Sequence, residues 1–463
     1  MSSLTYMQLL RGNRSFRLLW SGQVVSELGN WFNFIAGLGL VRAVSQAAPE
    51  ATAILVVARL APYGLFAPLA GAFVDRWSRR TLMIASDAAR ALFALGFLLV
   101  RGPEDLWIAY VCSVVSTLLA AFFDAAKSAA MPNVTGDEGL LAGNALLHSS
   151  RFLLMSVGAA LGGAASASFG YEVAFVINAL SFVVSAYSIW RIPDEDLQAR
   201  HAMVESETEQ KETMLDERAG DVRRAGSRLR FWRDLREGAA YTVRHPLVFA
   251  LIGINMMWAT GGGALNLVYD RLGGVVFANE GTLSPDAAVA ALYTTVGAGL
   301  FAAMLIVRRI GAKVEMRGAT AAFIGWTFIA HGVLFSLAGL MPTLWLACVL
   351  LFLSRVFAGL EFVMHDTLMM RLLPDDLRGR VISIDRAGEL FVMSVSGIVA
   401  GWALYWLTPR ALTVVSGLLS AFPGVVWLLL FATGRLHMTR RTASDDTTAP
   451  DDETETAALA SAG

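Results

Sequence analysis

Long apolar runs alternate with short polar punctuation along the whole chain. Stretches of about 20 apolar residues, bounded by charge or turn residues, fall near 18–41, 52–74, 81–100, 106–131, 143–168, 172–190, 247–268, 287–307, 318–340, 343–370, 381–407 and 411–434. A helix of that length crosses the hydrocarbon core of a bilayer. The join between the second and third runs is so short that the two form a tight hairpin, with Asp75 to Arg80 held at a water interface. The pattern predicts an all-α membrane protein with twelve transmembrane helices. One long polar insertion, 192–245, divides them six and six: a bundle over 1–191, a linker, a second bundle over 246–438, and a disordered acidic tail over 439–463. Within the linker, Phe231, Leu235, Ala239 and Val243 recur every four residues between charges, which predicts a short amphipathic helix near 231–244.

The two bundles are expected to be pseudo-symmetric. Asp124 and Asp366 each lie eight residues before a proline, Pro132 and Pro374, and each is followed further on by Met-Ser-Val, at Met155 and Met393. Six-helix repeats of this kind build transporters whose site lies at the bilayer midplane between them.

Composition agrees with the pattern. Charged residues make up 16% of the 463, against roughly a quarter in soluble proteins, and mean hydropathy is +0.55. A net charge of −1 gives no reason to expect a nucleic-acid partner. With the N-terminus placed in the cytoplasm, 27 Lys and Arg fall on the inner side, four on the outer side (Arg42, Arg101, Arg271, Arg410) and six inside spans. The positive-inside rule therefore puts both termini in the cytoplasm of a multi-pass protein of the inner membrane. Arg11, Arg14 and Arg17 precede a run too long for a cleavable signal peptide. Cys112 and Cys348 sit in apolar runs and are expected to be buried thiols.

Several motifs carry a resemblance. Gly71-Ala72-Phe73-Val74-Asp75-Arg76-Trp77-Ser78-Arg79-Arg80 resembles the signature between the second and third helices of the major facilitator superfamily, with Ser78 where many members have glycine. Further matches are Asn13-Arg14-Ser15-Phe16-Arg17-Leu18-Leu19-Trp20 with Gly22-Gln23, Ser86-Asp87 with Arg90, Arg236-Glu237-Gly238 with Tyr241 and Arg244-His245-Pro246, and Arg378-Gly379-Arg380-Val381. In this order they are similar to the bacterial exporters that include enterobactin and macrolide efflux proteins. The helix-5 stretch Gly158 to Gly162-Gly163 departs from the drug-antiporter pattern by lacking its proline. The resemblance implies alternating access, a cavity lined by helices 1, 4, 7 and 10, and export.

Candidate residues follow. Gly71 permits close helix approach, and Asp75 can meet a helix N-terminus. Together with Arg76, Arg79 and Arg80, braced by Asp87 and Arg90, they form the expected cytoplasmic latch. By resemblance its partner is helix 11, where Asp385 and Glu389 are available. Glu27 lies about nine residues into helix 1, on one face with Gln23 and Asn30; a carboxylate at such depth needs water, a partner or a proton path. In helix 10, Glu361 and His365 are i,i+4 neighbours and Asp366 follows. These three, with Glu27, are the proton-coupling candidates; a structural pairing between helices is the alternative. No third or fourth ligand accompanies Glu361 and His365, so a metal is not expected.

Asp124 and Lys127, three apart, are expected to pair, while Arg151 is a lone cation for an anionic substrate or one of the acids. Arg59 is expected to reach the outer interface. Trp31, Phe34, Trp258 and Phe362 are candidate stacking surfaces, and Asn255 is a further cavity candidate. There is no Walker A sequence and no Ser–His–Asp or Cys–His arrangement, so neither an ATPase, another enzyme nor a cofactor is expected. The expected function is proton-coupled export of an amphipathic drug, siderophore or similar small molecule across the lipid bilayer. Lysophospholipid translocation and a non-transport membrane sensor are the alternatives.

Overall fold

The computed structural model describes residues 6–74, 77–197, 236–281 and 283–436, and among them there is no strand. Twelve long helices follow one another: α1 Arg14–Val44, α2 Pro49–Val74, α3 Arg79–Leu99, α4 Pro103–Gly136, α5 Glu138–Phe169, α6 Tyr171–Trp190, α7 Pro246–Glu280, α8 Pro285–Met316, α9 Thr320–Leu340, α10 Leu344–Leu372, α11 Asp375–Ala403 and α12 Pro409–Ala432. Among the described residues, ten of these helices are found long and apolar enough to cross a membrane. The predicted amphipathic stretch begins outside the described residues, as do most of the linker, the tail, Asp75 and Arg76.

Local chemistry sets the helix ends. Asn13 caps α1 by accepting from Phe16 N at 2.8 Å, and its amide donates to Val134 O at 2.6 Å, pinning α1 to the end of α4. Ser78 accepts from Thr81 N at 3.4 Å at the start of α3, which gives the serine in the charged motif a capping role. Gly136, at φ +65°, turns what is otherwise one continuous helix into α4 and α5. Pro285 and Pro409 occupy first-turn positions, where the missing N–H costs nothing. Residues 236–244 are helical and dock on α11, where Glu237 pairs with Arg380 at 2.6 Å. Gly238 and Thr242 are the buried positions, while Val243, expected on the apolar face, is exposed. Contact with α11, rather than the four-residue apolar repeat, sets the orientation.

The apolar core is unequal at the two ends of the bundle. At the end where α1 meets α2, one continuous core joins both halves of the chain, from Phe34, Leu38 and Val56 to Val268, Val289 and Leu351. At the other end, which carries Arg79, Arg80, Arg308, Arg309 and Arg380, the core is split in two. One part gathers Phe16, Met83, Phe123 and Ile189 from α1–α6. The other gathers Leu251, Phe328, Met364 and Trp427 from α7–α12. The main contacts between the halves are α2 with α11 and α5 with α8. Exposed tryptophans (Trp107, Trp190, Trp345, Trp402 and Trp406) lie near helix ends, as membrane-interface residues do. Cys112 and Cys348 are free and buried.

Candidate functional site

Beside the α1–α6 core at the basic end lies a cavity of about 190 Å³, walled by α1, α2, α4 and α5. Its lining is polar: Gln23 and Glu27 from α1, Tyr63 from α2, Asp124 and Lys127 from α4, and Asn144, His148 and Arg151 from α5, with Trp20, Val24, Met131 and Leu154 as apolar flanks. Lys127 Nζ donates to Asp124 at 2.6 Å and to Gln23 at 3.1 Å, and Tyr63 donates to Asp124 at 3.1 Å. That group is internally satisfied. Glu27 and Arg151 are within electrostatic reach of one another but form no hydrogen bond or ion pair among the described residues, and Arg151 is exposed to the cavity.

Across the cleft, His148 is within electrostatic reach of Asp366 and Arg386. These belong to a network on α7, α10 and α11. Arg386 donates to both Asp366 oxygens at 2.9 and 3.0 Å and to Glu389 at 2.9 Å, while Asn255 donates to Asp385 at 3.0 Å. The His365 ring lies 3.7 Å from Asp366 and 3.2 Å from Leu251 O rather than bonding its i−4 neighbour, and Glu361 has no hydrogen bond among the described residues. Phe362 lies under the Arg386 guanidinium at 4.8 Å, while Trp258 packs into the core.

Arg386 was not among the sequence candidates. Its signal was available in Asp385-Arg386 and Glu389, an acid–base–acid pattern at helical spacing.

Above the cavity the halves meet in an aromatic layer. Phe34 packs edge-on to Trp31 at 5.7 Å and to Tyr293 of α8 at 5.4 Å, and Tyr293 packs on Tyr269 of α7 at 5.2 Å. Arg59 lies 4.3 Å over Phe34, in the interior rather than at the outer interface, because the ring face offers its cation a partner there.

Beyond the aromatics is a buried ion network. Arg42 of α1 pairs with Asp270 of α7 and Asp286 of α8. Tyr171 donates to Asp286 at 2.9 Å, and Arg271 donates to Ala48 O and to Thr52, both at 2.9 Å. Asp270 is fully buried. A π-helical turn, Leu272–Phe277, follows directly, and its Gly274 leaves room for the Arg42 guanidinium against the backbone.

The expected latch residues are arranged differently. Gly71 lies in the last turn of α2. Arg79 donates to Ala129 O at 2.9 Å and Leu197 O at 3.2 Å, and Arg80 donates to Trp190 O. Both therefore cap carbonyls of α1–α6 and its flank, and do not reach Asp385 or Glu389, whose oxygens are held by Asn255 and Arg386. The split core at this end is the physical reason. Asp87 and Arg90 pair at 3.3 Å, and Arg90 reaches Asn30 at 3.3 Å and stacks over Phe182 at 4.1 Å, bracing α3 against α1 and α6.

Comparison with known proteins places this arrangement. Residues 19–331 match the Major Facilitator Superfamily. The uncharacterized MFS-type transporter YfiS of Bacillus subtilis (strain 168) is 28% identical over 189 residues, covering 40% of this chain and 44% of YfiS. The putative bacilysin exporter BacE of the same organism is 29% identical over 141 residues, covering 30% of this chain and 35% of BacE. The matches thus span less than half the length of these curated relatives.

Among solved structures, a bacterial homologue of the iron transporter ferroportin in an inward-facing state superposes with a TM-score of 0.61 at 13% identity, over 89% of this chain and 98% of that one. A POT family transporter in complex with 5-aminolevulinic acid gives 0.66 at 10% identity, over 91% and 96%. With two thirds of its length matched and an all-helical fold, the chain belongs to the Major Facilitator Superfamily of membrane transporters.

Proposed function

We propose that this chain is a secondary transporter that exports small metabolites across the bacterial cytoplasmic membrane by alternating access, in exchange for protons. The observation carrying this reading is the polar cavity walled by α1, α2, α4 and α5, with an aromatic layer and a buried ion network joining the halves beyond it. In this reading 1–191 and 246–438 are the moving halves, and the conformation is the one open toward the cytoplasm. Glu27, Glu361, His365 and Asp366 are the proton-carrying residues. Gly71, Asp75, Arg76, Arg79 and Arg80 form the latch of the opposite conformation, when the basic end closes. The resemblance to enterobactin and macrolide exporters and the match to BacE support the outward direction. The charged cavity walls favour a small polar or amphipathic cargo over the acyl chains of a lysophospholipid.

The test is substrate-induced collapse of the pH gradient in energised, everted membrane vesicles, over siderophores, macrolides, cationic dyes, amino acids and lysophospholipids. The expected result is proton release with at least one small molecule, lost in Glu27→Gln. If no compound moves protons while labelled lysophospholipid crosses, the reading is wrong.

A further inference from the structure

Arg236-Glu237-Gly238, with Tyr241 and Arg244-His245-Pro246, builds a recess apart from the central cavity. Gly238 and Thr242 are the buried positions of the 236–244 helix. A Cβ at Gly238 would stand 3.1 Å from Ile384 Cδ1, so the helix lies close against α11. At 3.6 residues per turn, Arg236, Ala240 and Arg244 then share one stripe, with Glu237 and Tyr241 beside them. These residues, with His245 and Leu377, line a groove of about 520 Å³ at the basic end.

Among the described residues the charges of this groove do not cancel. Its one acid, Glu237, is committed to Arg380 at 2.6 Å. Arg236 and Arg244 are exposed and have no hydrogen bond or ion pair among the described residues. His245 stacks on Tyr241 at 3.8 Å, and its Nδ1 donates to Tyr241 O at 2.8 Å, which holds the ring at the groove's edge. Pro246 opens α7 immediately afterwards, so the groove sits where a membrane helix leaves the bilayer. Val243 and Phe249, 71% and 58% exposed, set apolar surface next to the cations.

We infer that this groove binds the headgroup of an anionic phospholipid, its phosphate contacted by Arg236 and Arg244 and its acyl chains lying along Val243 and Phe249. The two arginines are eight residues apart, about 12 Å along the helix, so their long side chains can converge on one phosphate. Each guanidinium presents a planar fork of N–H donors that matches phosphate oxygens. A net anionic headgroup offsets the surplus charge, whereas a choline headgroup brings a further cation to a site that already has too many. Basic pockets beside membrane helices on the positively charged side recognise acidic lipids in this way.

The test is native mass spectrometry of the full chain, titrated with phosphatidylglycerol and with phosphatidylcholine of identical acyl chains. The expected result is one phosphatidylglycerol bound about tenfold or more tighter than phosphatidylcholine, a preference lost in the Arg236→Gln/Arg244→Gln double variant. Arg308→Gln/Arg309→Gln removes two cations of the same end outside the groove and should keep the preference. Arg236→Lys/Arg244→Lys should retain most of it, because a phosphate also accepts a point charge. Matched melting temperatures would show that the variants are folded. Equal affinity for the two lipids in the unaltered chain, or equal losses in the two glutamine variants, would overturn the assignment. Displacement of the bound lipid by soluble glycerol 3-phosphate would overturn it too, because the site would then serve a free phosphate ester and not a lipid held in the membrane.

Discussion

Arg386 holds Asp366 with two hydrogen bonds and Glu389 with a third, and it does so from a position only a third exposed. Removing it leaves two carboxylates facing each other in a poorly solvated wall. Arg386→Met should therefore destabilise the folded chain by about 1–3 kcal/mol, the lower end reflecting its partial exposure. Adding Asp366→Asn should restore part of that loss, a coupling readable from detergent melting curves in a double-mutant cycle. The residue scale is also where the sequence was least legible. Glu27, Asp124, Lys127 and Arg151 stood out because charge inside an apolar run is conspicuous, and all four line the cavity. Arg42, Asp270 and Asp286 did not stand out, because at the ends of runs they counted as ordinary interface charges. Arg42 and Asp270 are 228 positions apart in sequence, and no local spacing announces such a pairing.

At the scale of helices, hydrophobic run length placed all twelve to within a few residues at most ends, since bilayer thickness dictates that length directly. The departures at α7 and α1 have physical causes. α7 continues to Glu280 because a π-helical turn extends it past its apolar run, and α1 begins at Arg14 because Asn13 caps it there. The helix-5 glycines, notable in sequence for a missing proline, prove to be contact points: a Cβ at Gly162 would stand 2.9 Å from Phe32 Cα. Helix packing in membranes depends on such small residues. Gly162→Val should force α5 off α1 and lower stability by about 1–3 kcal/mol. An unchanged melting temperature would show that α5 is free to shift.

For the molecule as a whole, the unequal ends decide which motion is costly. Opening the closed end means parting Arg42 from Asp270 and Asp286 and dividing a continuous core. In a variant with Cys112 and Cys348 replaced by alanine, spin labels at the exposed positions Gln46 and Asn279 report that separation. Arg42→Ala should shift their distance distribution toward longer values, because two buried carboxylates lose their cation; an unchanged distribution would show that the apolar core alone keeps this end shut. The same asymmetry bears on permeability. A carrier that opened both ends with equal ease would visit, while empty, conformations through which water and ions could slip and dissipate the gradient that drives it. Here the continuous core and its ion pairs close that end, so an idle copy of the protein should leave the membrane's electrical insulation intact, and leak current should appear only when that closure is cut.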